Sequence, residues 1–342
     1  MINAWMRLLL LAIIFVAMML LVACISDGEK RTVVVYTSVD QTYSEPILRQ
    51  FEEKTGIRVL PVFDVEATKT TGLVNRLIAE KGRPRADVFW NGEFAQTLLL
   101  KAKRILAPYR SVNADDIPAQ YRDPEGYWTG FSGRARILLV NTDLVSPDNY
   151  PGSIFDLLDL DWPAEQVGIA YPLFGTTATH AAALYAALGA EKGKAFFEQL
   201  RNRGVRVVDG NSTVRDLVAS GRLALGLTDT DDACGALKRG SPVTIVFPDQ
   251  DVLGTLIIPN TVALIADAPH LEEAKALIDF LLSKEVEGRL VASGWTHVPL
   301  RQVGVQPACL ERTDVKGMDV SLAEVFSQIE RIKKELGEIF IR

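Results

Sequence analysis

VVVYTSVDQTYSEPILRQFEEKTGIRVLPVF, residues 33–63, is the segment that decides the fold of this chain. Its first four residues are apolar, and such a run is typical of a strand buried on both faces of a parallel sheet. A helix is predicted from Ser44, because a cap residue is followed by an early proline and an apolar face, and Gly56 ends it. Residues 58–63 form the next predicted strand. A strand, a helix and another strand in succession predict an α/β architecture.

The same alternation continues over most of the chain. Helices are predicted at 70–81 and 94–103 with a strand at 86–90 between them, and a second series of strands and helices begins near residue 167. Long apolar segments at 137–141 and 255–265 are predicted to cross between two lobes. Helices near 271–282 and 322–336 are then expected to return to lobe one. Two sheets joined by two crossing strands leave a cleft between the lobes, which is a common place for a ligand.

These patterns predict a division of the chain into segments. We expect a signal segment at 1–23, a tether at 24–32, lobe one at 33–134, lobe two at 135–258, and a return to lobe one with the C-terminal helices at 259–342.

The N-terminus predicts where the protein works. One positive charge near the start, an apolar run over residues 8–22 and a small residue before Cys24 are the parts of a secretory signal. The sequence Leu21-Val22-Ala23-Cys24 resembles the bacterial lipobox, in which the cysteine receives a lipid. A plain transmembrane anchor is the alternative, because the run approaches the length of a span. Both interpretations place the remainder outside the cytoplasm, held at a membrane.

Composition narrows the function classes. The formal net charge is −6, which argues against nucleic acid as a partner and is compatible with a cation as ligand. Three histidines are scattered without the spacing of a metal motif, and no cofactor is expected. Cys234 and Cys309 could pair in an oxidising compartment or remain as two buried thiols.

Six segments together resemble a known family. They are VVVYTSVD (33–40), FEEKTGIRV (51–59), ADVFWNGE (86–93), SGRARILLVNT (132–142), GNSTVRDLVASGRLALGLTD (210–229) and HLEEAKALIDFLLSKE (270–285). In this order they resemble the bacterial periplasmic solute-binding proteins of ABC importers, and more narrowly their ferric-ion-binding branch. The resemblance implies two lobes that close over a solute and deliver it to an importer permease. It implies a binding protein rather than an enzyme, and we expect a monomer.

The resemblance also implies positions for the ligands. In ferric-binding members one lobe supplies a histidine and a carboxylate, and the other supplies two adjacent tyrosines. By motif position the histidine falls at Asp40, the carboxylate at Glu93 and the tyrosines at Asp231 and Asp232. Because neither tyrosine is present, iron bound by tyrosinates is disfavoured.

The chemistry of the substituted residues nevertheless points to a cation. Asp40, Glu93, Asp231 and Asp232, with Asp229 nearby, would bring several carboxylates to one cleft, and such like charges favour a neutralising cation. Hard cations such as Fe3+, Mn2+, Mg2+ or Ca2+ prefer oxygen ligands. An organic cation would also fit, with the ring of Trp90 or Tyr36 as a cation–π face. The alternative for the aspartates is that they cap the helix that follows them.

A second set of residues could contact an anion. The loop that holds an anion in the resembled family falls at Thr176 and Thr177, and an asparagine falls at Asn211, although helix capping is an equal alternative. Arg134 and Arg136 alternate by two and therefore share one face of the first crossing strand. They could counter an anionic ligand or a cleft carboxylate, or form a salt bridge at the hinge.

The sequence therefore predicts a membrane-tethered receptor that captures ferric iron or another hard cation for an importer. An organic cation of the thiamine or polyamine type, or a phosphate-bearing solute, is the alternative ligand. A periplasmic sensor is the alternative from another class, and a catalytic version is disfavoured because no nucleophile or activated water is evident.

Overall fold

The computed structural model of the protein describes residues 31–64, 71–159, 161–310 and 314–340, together with Trp5. Except for Trp5, the predicted signal segment lies outside the described residues, and so does the predicted lipidation site Cys24. Residue 70, the first of one predicted helix, also lies outside them.

Ten strands and ten α-helices occur in the described residues. The strands are β1 (Thr32–Thr37), β2 (Arg58–Phe63), β3 (Val88–Asn91), β4 (Leu106–Ala107), β5 (Thr129–Asn141), β6 (Val167–Ala170), β7 (Arg206–Val208), β8 (Leu225–Asp229), β9 (Val243–Val246) and β10 (Ile257–Ile265). The helices are α1 (Gln41–Thr55), α2 (Thr71–Ala79), α3 (Ala95–Ala102), α4 (Gly175–Leu188), α5 (Ala190–Arg203), α6 (Asn211–Ala219), α7 (Thr230–Lys238), α8 (Leu271–Leu281), α9 (Lys284–Ser293) and α10 (Leu322–Ile339).

The opening segment folds as its pattern predicts. β1 is the parallel neighbour of both β2 and β3, and Val33, Val35 and Tyr36 are fully buried. Helix α1 begins at Gln41, slightly before the predicted start. It ends at Gly56, whose φ of 69° is left-handed and whose amide donates to the Glu52 carbonyl. Glycine reaches this conformation without the steric cost that a Cβ would bring, which explains why the helix ends there.

The crossing strand β5 joins two halves of the sheet. Its first part, up to Ala135, pairs antiparallel with β10, and its second part, from Arg136, pairs with β8 and β9. The half before the crossing contains β2, β1, β3, β10 and β4, and the half after it contains β8, β6, β7 and β9. The predicted α/β class, with two lobes joined by crossing strands, is confirmed. The predicted lobe boundaries stay a prediction, apart from the C-terminal helix.

The C-terminal helix corrects one expectation. α8 packs against β1, β3 and β10 of the first half, but α10 packs mainly against α4 and α5 of the second. The buried face of α10 contains Val325, Ile332 and Leu336, and the Tyr171 hydroxyl donates to the Phe340 carbonyl at 2.7 Å. The reason is that α4 is rich in buried alanine and has a broad apolar surface, which α10 covers. The prediction that this helix returns to lobe one is therefore wrong.

The two cysteines, left open by the sequence, form a disulfide. Cys234 lies in α7 and Cys309 in the segment after α9, with their Cα atoms 5.4 Å apart. Among the helices of the described residues, none combines the length and the apolar character that crossing a membrane requires.

Candidate functional site

The candidate site lies where strands of both lobes end. β1 and β3 end at Thr37 and Asn91, β8 ends at Asp229, and β5 passes between them. In open α/β sheets, the carboxyl ends of the strands form the crevice in which ligands bind. The side chains at these ends, and those of Arg134 and Arg136 on β5, therefore decide what the cleft can hold.

The lobe-one wall is a hydrogen-bonded corner at the end of β3. The Ser38 hydroxyl donates to Asn91 Oδ1 at 2.5 Å and accepts from the Gly92 amide at 3.0 Å. The Glu93 carboxylate accepts from the amides of Ala95 and Gln96, at 2.6 and 2.9 Å. Burial raises the pKa of the Glu93 carboxyl, and these amide hydrogen bonds oppose that rise. Glu93, predicted as a metal ligand, thus caps the start of α3.

Arg136 and Asp229 form a sealed ion pair at the base of the cleft. Arg136 is fully buried, and its Nη1 donates to Asp229 Oδ1 at 2.7 Å. The other carboxylate oxygen of Asp229 accepts from the Thr176 hydroxyl at 2.6 Å and from Asn211 Nδ2 at 3.0 Å. The Thr177 hydroxyl accepts from Arg136 Nη2 at 3.4 Å. Both oxygens of Asp229 therefore have donors within the protein.

This network accounts for the residues predicted to contact an anion. Thr176 and Thr177 occupy the first turn of α4, and Asn211 is the first residue of α6. Asn211 Oδ1 accepts from Arg136 Nη1 at 3.1 Å and from the Thr177 hydroxyl at 3.2 Å. The structure thus brings all three together, but their side chains hold the ion pair and do not cap their helices.

Arg134 and Asp231 form a second pair that is open to the cleft. Arg134 Nη1 donates to Asp231 Oδ2 at 3.2 Å, and its Nη2 donates to the Gly92 carbonyl of lobe one at 3.3 Å. The Asp231 side chain is 37% exposed, yet its Oδ1 atom is buried and has no hydrogen-bond partner among the described residues. Arg134 therefore connects the two lobes, and one carboxylate oxygen of Asp231 lacks a donor in the part of the chain that the structure describes.

Asp232 lies at the start of α7, beside Asp229 and Asp231, and these three aspartates together form the acidic corner. Asp232 Oδ1 accepts from Arg215 Nη1 at 3.1 Å, and its Oδ2 accepts from the Thr228 hydroxyl at 3.4 Å. Burial, followed by the negative charges of Asp231 and Asp229, raises the pKa of Asp232 to about 7. A carboxyl with such a pKa gives up its proton readily when a cation arrives.

Three of the predicted acidic residues lie close enough together to share a metal ion. Single carboxylate oxygens of Asp229, Asp231 and Asp232 all lie within 4.8 Å of one another. Asp40, which precedes α1, and Glu93 lie outside this group. Each of the three aspartates is paired with one arginine, so the protein itself balances the charge of the corner. No side-chain cap bond is present at the N-terminus of α7 within the described residues.

The predicted aromatic face is wrong, and a different one is present. Trp90 is fully buried and packs against Phe131, because β3 is covered on both faces. Tyr36 is also buried, and its hydroxyl donates to Glu80 at 3.0 Å. The Arg134 guanidinium instead lies 5.7 Å from the ring of Trp295.

Sequence reasoning missed two contributors to the cleft, Arg215 and Trp295. Arg215 lies one helical turn after Asn211, so its spacing is the signal that could have placed it on the same face of α6. Trp295 comes from the segment after α9 and packs at a tilt against Tyr43, with ring centroids 5.1 Å apart. No local pattern marks that long-range contact.

Comparison with known proteins gives a consistent result. A sequence model of bacterial extracellular solute-binding proteins matches residues 84–319. The chain is similar to Iron uptake protein A1 of Synechocystis, at 25% identity over 92% of this chain and 88% of that protein. It is also similar to the probable ABC transporter periplasmic-binding protein y4fP of Sinorhizobium fredii, at 30% identity over 70% of this chain and 66% of that protein.

A solved structure shares the fold over nearly the whole chain. It is the Trichodesmium IdiA (FutA) protein in complex with iron and citrate ligands, with a TM-score of 0.81 and 21% identity. The likeness covers 91% of this chain and 100% of that one. The two-lobed architecture is thus common to both molecules.

Proposed function

The chain belongs to the family of bacterial extracellular solute-binding proteins, and on that premise we propose that it captures a hard cation, ferric iron first, for an ABC importer. One observation carries the proposal: carboxylate oxygens of Asp229, Asp231 and Asp232 lie within 4.8 Å of one another at the cleft. Hard cations take such oxygen ligands. The relative named Iron uptake protein A1 supports iron as the first cation to test.

The ion pairs of the corner suggest how binding occurs. Arg134 neutralises Asp231 across the cleft, and it also holds the Gly92 carbonyl of lobe one. A cation that reaches the corner replaces the guanidinium as the counter-charge of Asp231 and Asp232. Asp229 contributes its charge from the sealed pair with Arg136. In this proposal Asp231 and Asp232 are the ligands from lobe two.

Lobe one would complete the site when the cleft closes. Asp40 precedes α1, and the corner of Ser38 and Asn91 lies at the end of β3 on the other side of the cleft. Closure driven by a ligand that contacts both lobes is hinge motion, with β5 as one hinge strand. We assign lobe one to residues 33–134 and lobe two to residues 135–258.

The family and the N-terminal sequence support a proposal about where the protein works and what it contacts. We propose that it works outside the cytoplasm as a monomer, anchored by a lipid on Cys24, and that its partner is an importer permease. It acts as a binding protein and performs no chemical reaction on its solute. The named relatives, an iron uptake protein and a periplasmic-binding protein, support this assignment.

A thermal-shift experiment on the chain after chelation tests the proposal. Ferric citrate should raise the melting temperature, because a ligand that binds only the folded state stabilises it by mass action. The shift should be absent in D231N/D232N. It should persist in D143N/D148N, which removes two exposed charges from the same lobe. An equal shift in both variants would contradict the proposal.

Arg134 supports a second candidate. Its guanidinium lies between the lobes at 3.2 Å from Asp231 and 5.7 Å from the Trp295 ring, where it could hold a phosphate group while the aspartates hold an amine. An organic cation or a phosphate-bearing solute would use this arrangement. This candidate is favoured if organophosphates or amines raise the melting temperature and ferric citrate does not.

A further inference from the structure

A segment after α9 is anchored on lobe one. We define the C-terminal strap as residues 301–310. At its start Arg301 is almost completely buried, and its Nε donates to Glu287 of α9 at 2.7 Å. Its Nη1 donates to Asp116 at 2.5 Å and to the Asn113 carbonyl at 2.8 Å. Further along, Val305 lies against α9, since a Cβ at Gly288 would be 3.5 Å from Val305 Cγ2.

The far end of the strap is bonded to lobe two. Cys309 forms the disulfide with Cys234, which lies in α7 one turn after Asp231. α7 packs against β5, β8, β9 and α6, so it moves with lobe two. The helix that carries the proposed ligands is therefore joined covalently to a segment held on lobe one.

The disulfide lies at a place where the lobes meet. Cys234 and His297 are 1% and 2% exposed, and the two sulfurs and one imidazole nitrogen lie within 4.8 Å of one another. At the end of α7, Lys238 Nζ lies 2.9 Å from the point that a Cβ at Gly294 would occupy. Cys309 itself is partly exposed, and in an oxidising compartment the bond persists as a covalent link.

We propose that this disulfide makes the strap a tether that limits how far the cleft opens. Cys309 is the fourth residue after Val305, and a chain segment of that length spans at most about 14 Å. Cys234 can therefore move away from α9 only until these residues are extended. The inference concerns regulation of the cleft and rests on the proposed function only in that binding and release require the cleft to open.

Interlobe distance in the ligand-free chain tests the tether. Fluorophores placed through unnatural amino acids at Val112 of lobe one and Leu144 of lobe two, both exposed, report the opening by energy transfer. Three proteins are compared: the labelled parent, C234A/C309A, and a variant with six Gly/Ser residues inserted between Val305 and Gln306. The insertion keeps the disulfide and lengthens only the strap.

Transfer efficiency should fall in both altered proteins, because each can open further than the parent. No change in the lengthened variant overturns the proposal, even if C234A/C309A opens, since the disulfide would then act by local stabilisation alone. The lengthened variant retains its disulfide, so it remains informative if C234A/C309A fails to fold. Because no ligand is added, failure of ferric citrate to bind would contradict the proposed function and leave this test intact.

Discussion

Two arginine–aspartate pairs have their arginines two residues apart on β5, and the surroundings of the pairs differ. Arg136 and Asp229 are buried, and both oxygens of the carboxylate accept hydrogen bonds from the protein. Arg134 and Asp231 are partly exposed, and one oxygen of Asp231 has no partner within the described ranges of the chain. The same residue types therefore form an ion pair whose carboxylate oxygens are both hydrogen-bonded at Arg136, and one whose carboxylate is incompletely hydrogen-bonded at Arg134.

The two pairs are expected to have different roles. The Arg136–Asp229 pair should stabilise the fold, and the Arg134–Asp231 pair should take part in binding. The sealed pair fixes α4, α6 and β8 to the crossing strand through Thr176 and Asn211. The open pair instead connects lobe two with the Gly92 carbonyl of lobe one. A charged group that is already satisfied gains little from a ligand, whereas an unsatisfied one gains a partner. Ligand binding is thus expected first at Asp231, and Asp232 lies beside it with oxygens that Arg215 and Thr228 contact.

The largest expected difference between the two pairs is in the free energy of unfolding that is lost when the aspartate is replaced. D229N leaves the buried Arg136 guanidinium without a counter-charge, and removal of one partner of a buried ion pair costs about 3–5 kcal/mol. D231N alters a partly exposed pair, for which the expected loss is below about 1 kcal/mol. Urea denaturation of both variants measures this difference. Equal losses in the two variants would show that the pairs are not distinct in the way described.

The affinity for a cation should increase when the positive charge of Arg134 is removed. R134Q removes a positive charge beside the proposed site, so ferric ion, measured by competition against citrate, should bind about tenfold more tightly, or about 1.4 kcal/mol. R110Q, altered outside the cleft, serves as the control and should bind as the parent does. Weaker binding in R134Q would mean that the arginine holds an anion, which favours the second candidate.

The stability of the protein should also depend on pH through His180, which lies on α4 near the Arg136–Asp229 pair. This histidine is buried in α4, and burial, with the charge of Arg136 adding to the effect, lowers its pKa well below 6.5. Below pH 6.5 the unfolded chain therefore binds a proton that the folded protein does not, and stability falls as the pH falls. From pH 6.5 to 5.5 the loss is about 1 kcal/mol.

Comparison of the parent with H180Q isolates this contribution, because the other titrating groups are the same in both. The difference in unfolding free energy between the two proteins, from urea denaturation at several pH values, should be constant above pH 7 and should change below it. A difference that stays constant from pH 7.5 to 5.5 would contradict the buried, neutral state of His180.

Local patterns predicted the fold well because burial of a strand or helix is encoded in neighbouring residues. The apolar run at 33–36 became β1, and Gly56 ended α1. The alternation of Arg134 and Arg136 placed both side chains toward the lobe-two aspartates. Trp90 was placed wrongly because a strand covered on both faces has no exposed side.

The roles within the site depend on partners from distant segments. Thr176 and Asn211, which are 40 and 75 residues from Arg136 in sequence, help to complete the hydrogen bonds of its pair with Asp229. The packing of α10 on α4 likewise joins segments that lie far apart along the chain. Such complementarity between remote surfaces leaves no periodic signal. The sequence therefore predicted a larger group of acids than Asp229, Asp231 and Asp232, because it included Asp40 and Glu93, and it left open what each one does.

The central claim is that Asp231 and Asp232 hold the cation, and anomalous scattering at the iron edge tests it most directly. Crystals of the protein grown with ferric citrate should show an anomalous peak within coordinating distance of the carboxylate oxygens of Asp231 and Asp232, with the Arg136–Asp229 pair intact. An anomalous peak elsewhere in the cleft would contradict the account. Citrate bound in the cleft at full occupancy, without an anomalous peak, would also contradict it.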